Sequence, residues 1–156
     1  MIISALSGLL LLASSPAPDS PEHFFVGRTE GVGVAQVIMS GRHGVRDRST
    51  GRIDAAGNLI FEQVVEEDGK PARRRSWRLT RLPGNRITGT ISDAKGPVTG
   101  TVAGNVIHLR YRSVKGPSVQ QWITLQPGGR TATNRMVFRH LGMRVGTLQG
   151  TIRRLD

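Results

Sequence analysis

Apolar and polar residues alternate in short runs along most of the chain, and turn residues interrupt the runs at regular intervals. EGVGVAQVIM (30–39) stops at SGRHG, GVRDRSTGRID (44–54) at AAGN, and NLIFEQVVEE (58–67) at DGKP. ARRRSWRLTRL (72–82) stops at PGN, RITGTISD (86–93) at AKGP, and VTGTVAG (98–104) at Asn105. VIHLRYRSV (106–114), SVQQWITLQ (118–126), ATNRMVFRH (132–140) and MRVGTLQGTIRRL (143–155) complete the series. A period of two marks a half-buried strand, because successive side chains leave opposite faces. The gaps have the length and the Gly, Pro, Asn and Asp content of hairpin turns. No stretch sustains helical spacing between caps, and the gaps are too short for the crossovers that parallel strands need. The pattern predicts an all-β antiparallel up-and-down meander of about eight to ten strands. Closing such a meander into a barrel removes its exposed edges.

The same period assigns faces. In VIHLRYRSV, Ile107, Leu109 and Tyr111 share the inner face, and His108, Arg110 and Arg112 face solvent. In RRRSWRLTRL, Trp77 and Leu79 face inward with Arg75, which then needs a partner inside. In the stretch from Arg86 to Asn105, threonines take one face. Ile87, Gly89, Ile91 and Asp93, then Val98, Gly100, Val102 and Gly104, take the other. Glycine weakens a strand unless the wall bends sharply or another group comes close. Gly89, Gly100 and Gly104 therefore read as structural features of a tightly curved wall. Room for a ligand, or for a large neighbour such as Trp77, is the second reading.

Composition narrows the function classes. The 156 residues fit one domain with its own core. Cysteine is absent, which excludes disulfides, thiol nucleophiles and thiolate metal sites. The formal net charge is +11, carried mostly by arginine. Such a surface attracts polyanions, anionic lipid headgroups or lipopolysaccharide, or it simply solvates the outer face. The N-terminus reads MIISALSGLLLLASSPAPDSPEHFF. Its apolar run over 2–13 is short for a membrane span and resembles the core of a secretory signal, although no Lys or Arg precedes it. We divide the chain into a signal-like segment and linker over 1–22 and a barrel domain over 23–156. The apolar segment makes a periplasmic or membrane-associated envelope location the expectation.

Catalytic and cofactor motifs are not in evidence. The histidines at 23, 43, 108 and 140 have no metal-binding spacing. GVGVAQ at 31–36 lacks the third glycine of a dinucleotide loop, and no GxSxG or phosphate loop occurs. Glu62, Glu66, Glu67 and Asp68 lie along one hairpin, as a solvated tip would. A glycosidase pair instead faces itself across a cleft. Arg73, Arg74 and Arg75 beside Trp77 are too poor in companion aromatics for a single-strand nucleic-acid platform. We expect no cofactor, no metal and no catalytic residue; an enzyme acting on lipids is a minor alternative.

Several stretches together resemble a bacterial envelope family, domain of unknown function 3833, many of whose members are lipoproteins. They are EEDGKPARRRSWRLTRL, GTISDAKGPVTGTVAGNVIHLRY, QQWITL and TNRMVFRHLGMRVGTLQGTI, in that order. The resemblance implies a lipocalin- or calycin-like barrel and an envelope location. Members tend to be encoded near lipid-modifying genes, which implies lipid handling. It places the family's typical positions on Trp77, Asp93, Asn105, Trp122, Asn134 and Arg135. Two departures stand out: Ser15 replaces the lipidated cysteine, and Gln120 and Gln121 replace a pair of acids. No covalent lipid anchor is therefore expected.

The reading is a non-enzymatic envelope protein that binds a lipid or other small apolar ligand. Asp93, Asn134 and Arg135 would supply its polar groups, and Trp77, Tyr111 and Trp122 its apolar walls. The inward Arg and Asp would meet each other or a ligand headgroup. A buried network that pins strand register without any ligand explains the same residues, with Asn105 as a further structural position. The alternative is an interaction module with a filled barrel, whose Arg-rich surface docks on anionic lipid or lipopolysaccharide.

Overall fold

The computed structural model describes residues 20–156. The signal-like stretch and the lipobox position at Ser15 lie outside them. Ten strands follow in order: β1 (Gly27–Val37), β2 (Gly41–Ile53), β3 (Leu59–Glu67), β4 (Arg73–Leu82) and β5 (Arg86–Ile91). The series continues with β6 (Val98–Ala103), β7 (Val106–Arg112), β8 (Ser118–Leu125), β9 (Thr131–His140) and β10 (Met143–Arg154). Each strand pairs antiparallel with its neighbours in the chain, and β10 returns to β1, from Thr29 opposite Arg154 to Val37 opposite Gly146. The barrel is closed, so neither terminal strand keeps an open edge.

A short 3-10 turn, Pro21–Phe25, precedes β1 and packs against β2, β3 and β7. The expected linker thus ends inside a packed element, and Pro21 is buried. Phe24 and Phe25 close one end of the barrel. Phe25 stacks on Phe61 at 5.2 Å, Phe61 on Trp77 at 5.0 Å, and Trp77 meets the edge of Tyr111 at 5.9 Å. This aromatic column fills the closed end and stops halfway up. Each such side chain removed from water contributes about 1.5–3 kcal/mol. Arg81 locks the turn in place by donating to the Glu22 carboxylate at 2.6 Å.

The glycines of the opening pattern divide into two kinds. Gly89 and Gly100 face inward on β5 and β6, where a methyl group would strike the carbonyl oxygens of Arg78 and His108 in neighbouring strands. Close approach of the backbones, not room for a ligand, explains them. Gly104 is not on the inner face. It sits in the β6–β7 turn with φ +57°. Beside it, the Asn105 side chain donates to the Leu125 carbonyl at 2.9 Å and ties that turn to β8.

Candidate functional site

The five odd-numbered hairpin turns, from β1–β2 to β9–β10, lie at the end opposite the aromatic plug. There the barrel opens into a cavity of about 360 Å³. Beneath it, between Phe25, Phe61, Leu109 and Ile123, the remaining space is only about 30 Å³. The lower half is therefore packed and the upper half hollow. Ala35, Val45, Val65, Val119, Met136 and Leu148 make the apolar walls.

The floor is polar. Trp77 donates its indole N–H to Gln63 Oε1 at 3.0 Å. Gln121 donates to Asn134 Oδ1 at 2.9 Å, and Gln121 Oε1 has no hydrogen-bond partner among the described residues. Gln121 is only 7% exposed, and that carbonyl oxygen is buried and unsatisfied within the floor. Reversing both amides leaves a Gln121 N–H unsatisfied instead. Asp47 reaches the floor from β2 across Gly31, whose missing side chain leaves space for the carboxylate. Burial pushes its pKa up, while the Gln63 side chain and the Arg75 charge pull the other way.

Arg75 stands on the wall above the floor, 8% exposed. Its Nε donates to Asp93 at 2.9 Å, and the guanidinium lies 4.9 Å from the Trp77 ring centroid. Asp93 belongs to the β5–β6 turn and is half-exposed at the mouth. Nearby, Glu67 binds His43, Lys70 and Arg73 at 3.1, 3.1 and 2.9 Å. Burial pushes Glu67 up, but these three partners outweigh it and hold the carboxyl below its usual range. Glu67 thus leaves the solvated acidic tip in which the sequence places it. No group of three or more His, Asp or Glu residues among the described residues is arranged to hold a metal ion.

The structure brings Trp77, Tyr111 and Asn134 to the cavity, with Asp93 at its mouth. It does not bring Trp122 or Arg135 there. Val119, Gln121 and Ile123 turn inward on β8, so Trp122, of opposite parity, faces out. Arg135 likewise faces out between the inward Asn134 and Met136. On the outer wall His108, Trp122 and Arg135 form a row across β7, β8 and β9. The His108 and Trp122 rings stack at 4.7 Å, and the Arg135 guanidinium lies 5.0 Å from the Trp122 centroid. The arginine that meets Asp93 is Arg75, not Arg135. Asp47, Gln63, Gln121, His43 and Glu67 are site residues that the sequence reading misses, although their strand parity places them inside.

The family described as "Protein of unknown function (DUF3833)" matches residues 13–154, and the chain belongs to it. No curated protein matches the sequence. Among solved structures, the barrel is similar to the S-type phycobiliprotein lyase CPES from Guillardia theta. That match has a TM-score of 0.69 and 12% identity, over 88% of this chain and 93% of the other. It is similar also to Rv2717c from M. tuberculosis, with a TM-score of 0.66 and 14% identity, over 85% and 94% of the two chains. A third similar structure is EF1p2_mFAP2b bound to DFHBI, with a TM-score of 0.51 and 9% identity, over 88% and 99%. These likenesses establish a lipocalin-like barrel.

Proposed function

We propose that this protein is a non-enzymatic binding protein of the bacterial envelope, taking one small apolar or amphipathic molecule into the open end of its barrel. A single lipid chain is the ligand class that fits best. The observation that carries the reading is the cavity: about 360 Å³ of apolar-walled space ending on a floor of Asp47, Gln63, Gln121 and Asn134. That volume lies at the low end of the about 300–1,000 Å³ typical of small-molecule sites, and apolar walls with a few placed polar groups are their usual make-up. It suits one chain or one compact molecule rather than a whole diacyl lipid. The neighbour bound to DFHBI supports a ligand-holding use of such a barrel. The polar groups suit binding rather than catalysis. His43 is held by Glu67, Arg75 by Asp93, and Gln121 by Asn134. The signal-like N-terminus and the family resemblance support the envelope location.

Native mass spectrometry on the protein purified from its own host envelope tests this. The expected result is a stoichiometric adduct that lipid extraction removes and host lipid extract restores. A mass that stays at the bare chain after incubation with that extract would overturn the reading.

A further inference from the structure

The eight large apolar side chains most exposed on this barrel are unevenly placed. Ile38 (72% exposed) and Met39 (92%) tip the β1–β2 turn, and Val114 (61%) the β7–β8 turn. Leu141 (90%) and Met143 (71%) tip the β9–β10 turn. All three turns belong to the open end. They are also neighbours, since β1, β10, β9, β8 and β7 follow one another around the wall. The Ile38 N–H donates to the Val145 carbonyl at 3.0 Å, joining the first turn to β10. Half of the mouth is therefore an apolar crest.

Leu141 adds a second observation. Its φ is +50° and that of Gly142 is +76°, a two-residue turn with both residues left-handed. Asn, Asp and Gly suit such positions, and leucine rarely adopts them. The β4–β5 turn at the closed end meets the same demand with Asn85, at φ +58°. At the tip of β9–β10 the chain instead holds out a leucine that packs on nothing, in a backbone conformation it disfavours. Folding gives no reason for it.

Charge supplies the third. From Ala94 to Leu155 the sequence contains no Asp or Glu and ten Lys or Arg. Just below the crest Arg112 pairs in register with Ser118, Ser118 with Arg139, and Arg139 with Arg144, a basic row across β7 to β10. Arg110, Arg112 and Arg139 line a shallow outer groove there. None of these arginines has a salt-bridge partner among the described residues. On the other side of the mouth, Arg46, Lys70 and Arg73 are paired with Glu66, Glu67 or Asp68, while Arg74 and Lys95 there lack such a partner among the described residues.

We propose that this arc of the mouth docks on an anionic phospholipid bilayer. The apolar tips enter the interface, and the arginine row meets the phosphates. Apolar side chains projecting beyond a belt of unpaired cations match the two layers of a membrane surface, apolar below and anionic above. A protein partner would need an acidic surface with its own apolar pockets for five separate tips. The docked barrel presents its cavity to the lipid. The proposal does not depend on what the cavity holds.

The test is flotation of lipid-stripped protein with vesicles of equal parts phosphatidylglycerol and phosphatidylcholine, and with phosphatidylcholine alone. Binding is expected only to the anionic vesicles, and it should weaken as salt is raised. R139Q/R144Q should weaken it about fivefold for each charge. R48Q/R52Q removes the same charge from exposed positions on β2 and should leave it close to wild type. L141N/M143S should reduce binding about tenfold or more, while L141N alone should raise thermal stability by relieving the turn. No binding to anionic vesicles at low salt would overturn the proposal. So would equal losses in R139Q/R144Q and R48Q/R52Q, which would make the attraction one of total charge. A dimer that L141N dissociates, without vesicle binding, would assign the crest to a second copy of the chain instead. Because the protein is stripped, vesicle binding and ligand uptake can fail independently.

Discussion

Gln121 on β8 and Asn134 on β9 are joined by one hydrogen bond of 2.9 Å, and the bond leaves the Gln121 carbonyl oxygen without a donor. A buried polar atom left unpaired costs about 1–3 kcal/mol. The floor of the cavity thus carries a small, local instability. Q121M/N134L replaces both partners with apolar side chains of similar size. It should leave the midpoint of urea unfolding unchanged or raised, and Q121M alone should lower it by orphaning Asn134. Ligand uptake by the double variant, followed by native mass spectrometry, should fall for a ligand with a polar end and stay the same for a pure hydrocarbon, because the floor loses two amides.

The Arg75–Asp93 pair is unequal, because the cation is buried and the acid reaches water. D93N leaves a buried charge short of its partner and should cost about 1–3 kcal/mol of stability. R75M leaves a carboxylate that water can solvate, and its methylenes keep the contact with Trp77. Its loss should be smaller, about 1 kcal/mol or less. Urea denaturation of the two variants decides it. A larger loss in R75M would mean that the guanidinium's contacts with Trp77 and Tyr111 dominate the site.

The two cavity carboxylates should respond to pH in opposite senses. Asp47 has its pKa raised in the folded state, chiefly by burial. Above the ordinary value of 3.8 the folded chain holds this proton longer than the unfolded one, so stability falls as pH rises through that window. D47N should therefore raise the melting temperature at neutral pH, and the gain should vanish as pH falls toward 3.8. Glu67 is the reverse. Burial alone would raise it, but Lys70, Arg73 and His43 together lower it below 4.5. Its contribution is present above that value and lost as pH falls through the lowered folded value. E67Q should destabilise the protein at neutral pH and have little effect in acid. Melting curves across the acid range measure both.

Gly89 and Gly104 should differ in tolerance. A methyl group at Gly89 meets the Arg78 carbonyl oxygen, which belongs to the barrel backbone and cannot swing away. G89A should cost about 3 kcal/mol or more, or prevent folding. Gly104 has open space around it and only a left-handed φ to satisfy, so G104A should cost about 1 kcal/mol. Chemical denaturation of the pair distinguishes a wall that needs close backbone approach from a turn that needs a dihedral.

The meander was legible in the sequence because every connection is short and every strand alternates. The inward faces of β4 to β7 followed from period two alone, as Trp77, Leu79, Ile87, Ile107 and Tyr111 demonstrate. The same rule placed Trp122 and Arg135 outside, since Val119, Gln121, Ile123 and Asn134 share the inner parity. Treating an aromatic and an arginine as a pocket wall and a polar anchor overrode a phase that the sequence displays. Asp47 was legible too, because Arg46, Arg48 and Arg52 mark the outer face of β2. The partner of Asp93 was legible as well: the hairpin register that sets Leu82 opposite Arg86 and Trp77 opposite Ile91 continues through the bond from the Ser92 N–H to the Ser76 carbonyl and brings Asp93 opposite Arg75. Periodicity could not reveal the cavity, because its volume is set by how far the aromatic column rises from the plug.

That plug has a consequence for traffic. With Phe24 and Phe25 across one end, the barrel is a cul-de-sac: whatever enters must turn back and leave by the same door. A tube open at both ends could accept a new passenger while releasing the last. This one could not, so the turnover of any ligand it takes would be set by how fast it empties, with a second molecule kept outside however abundant it is.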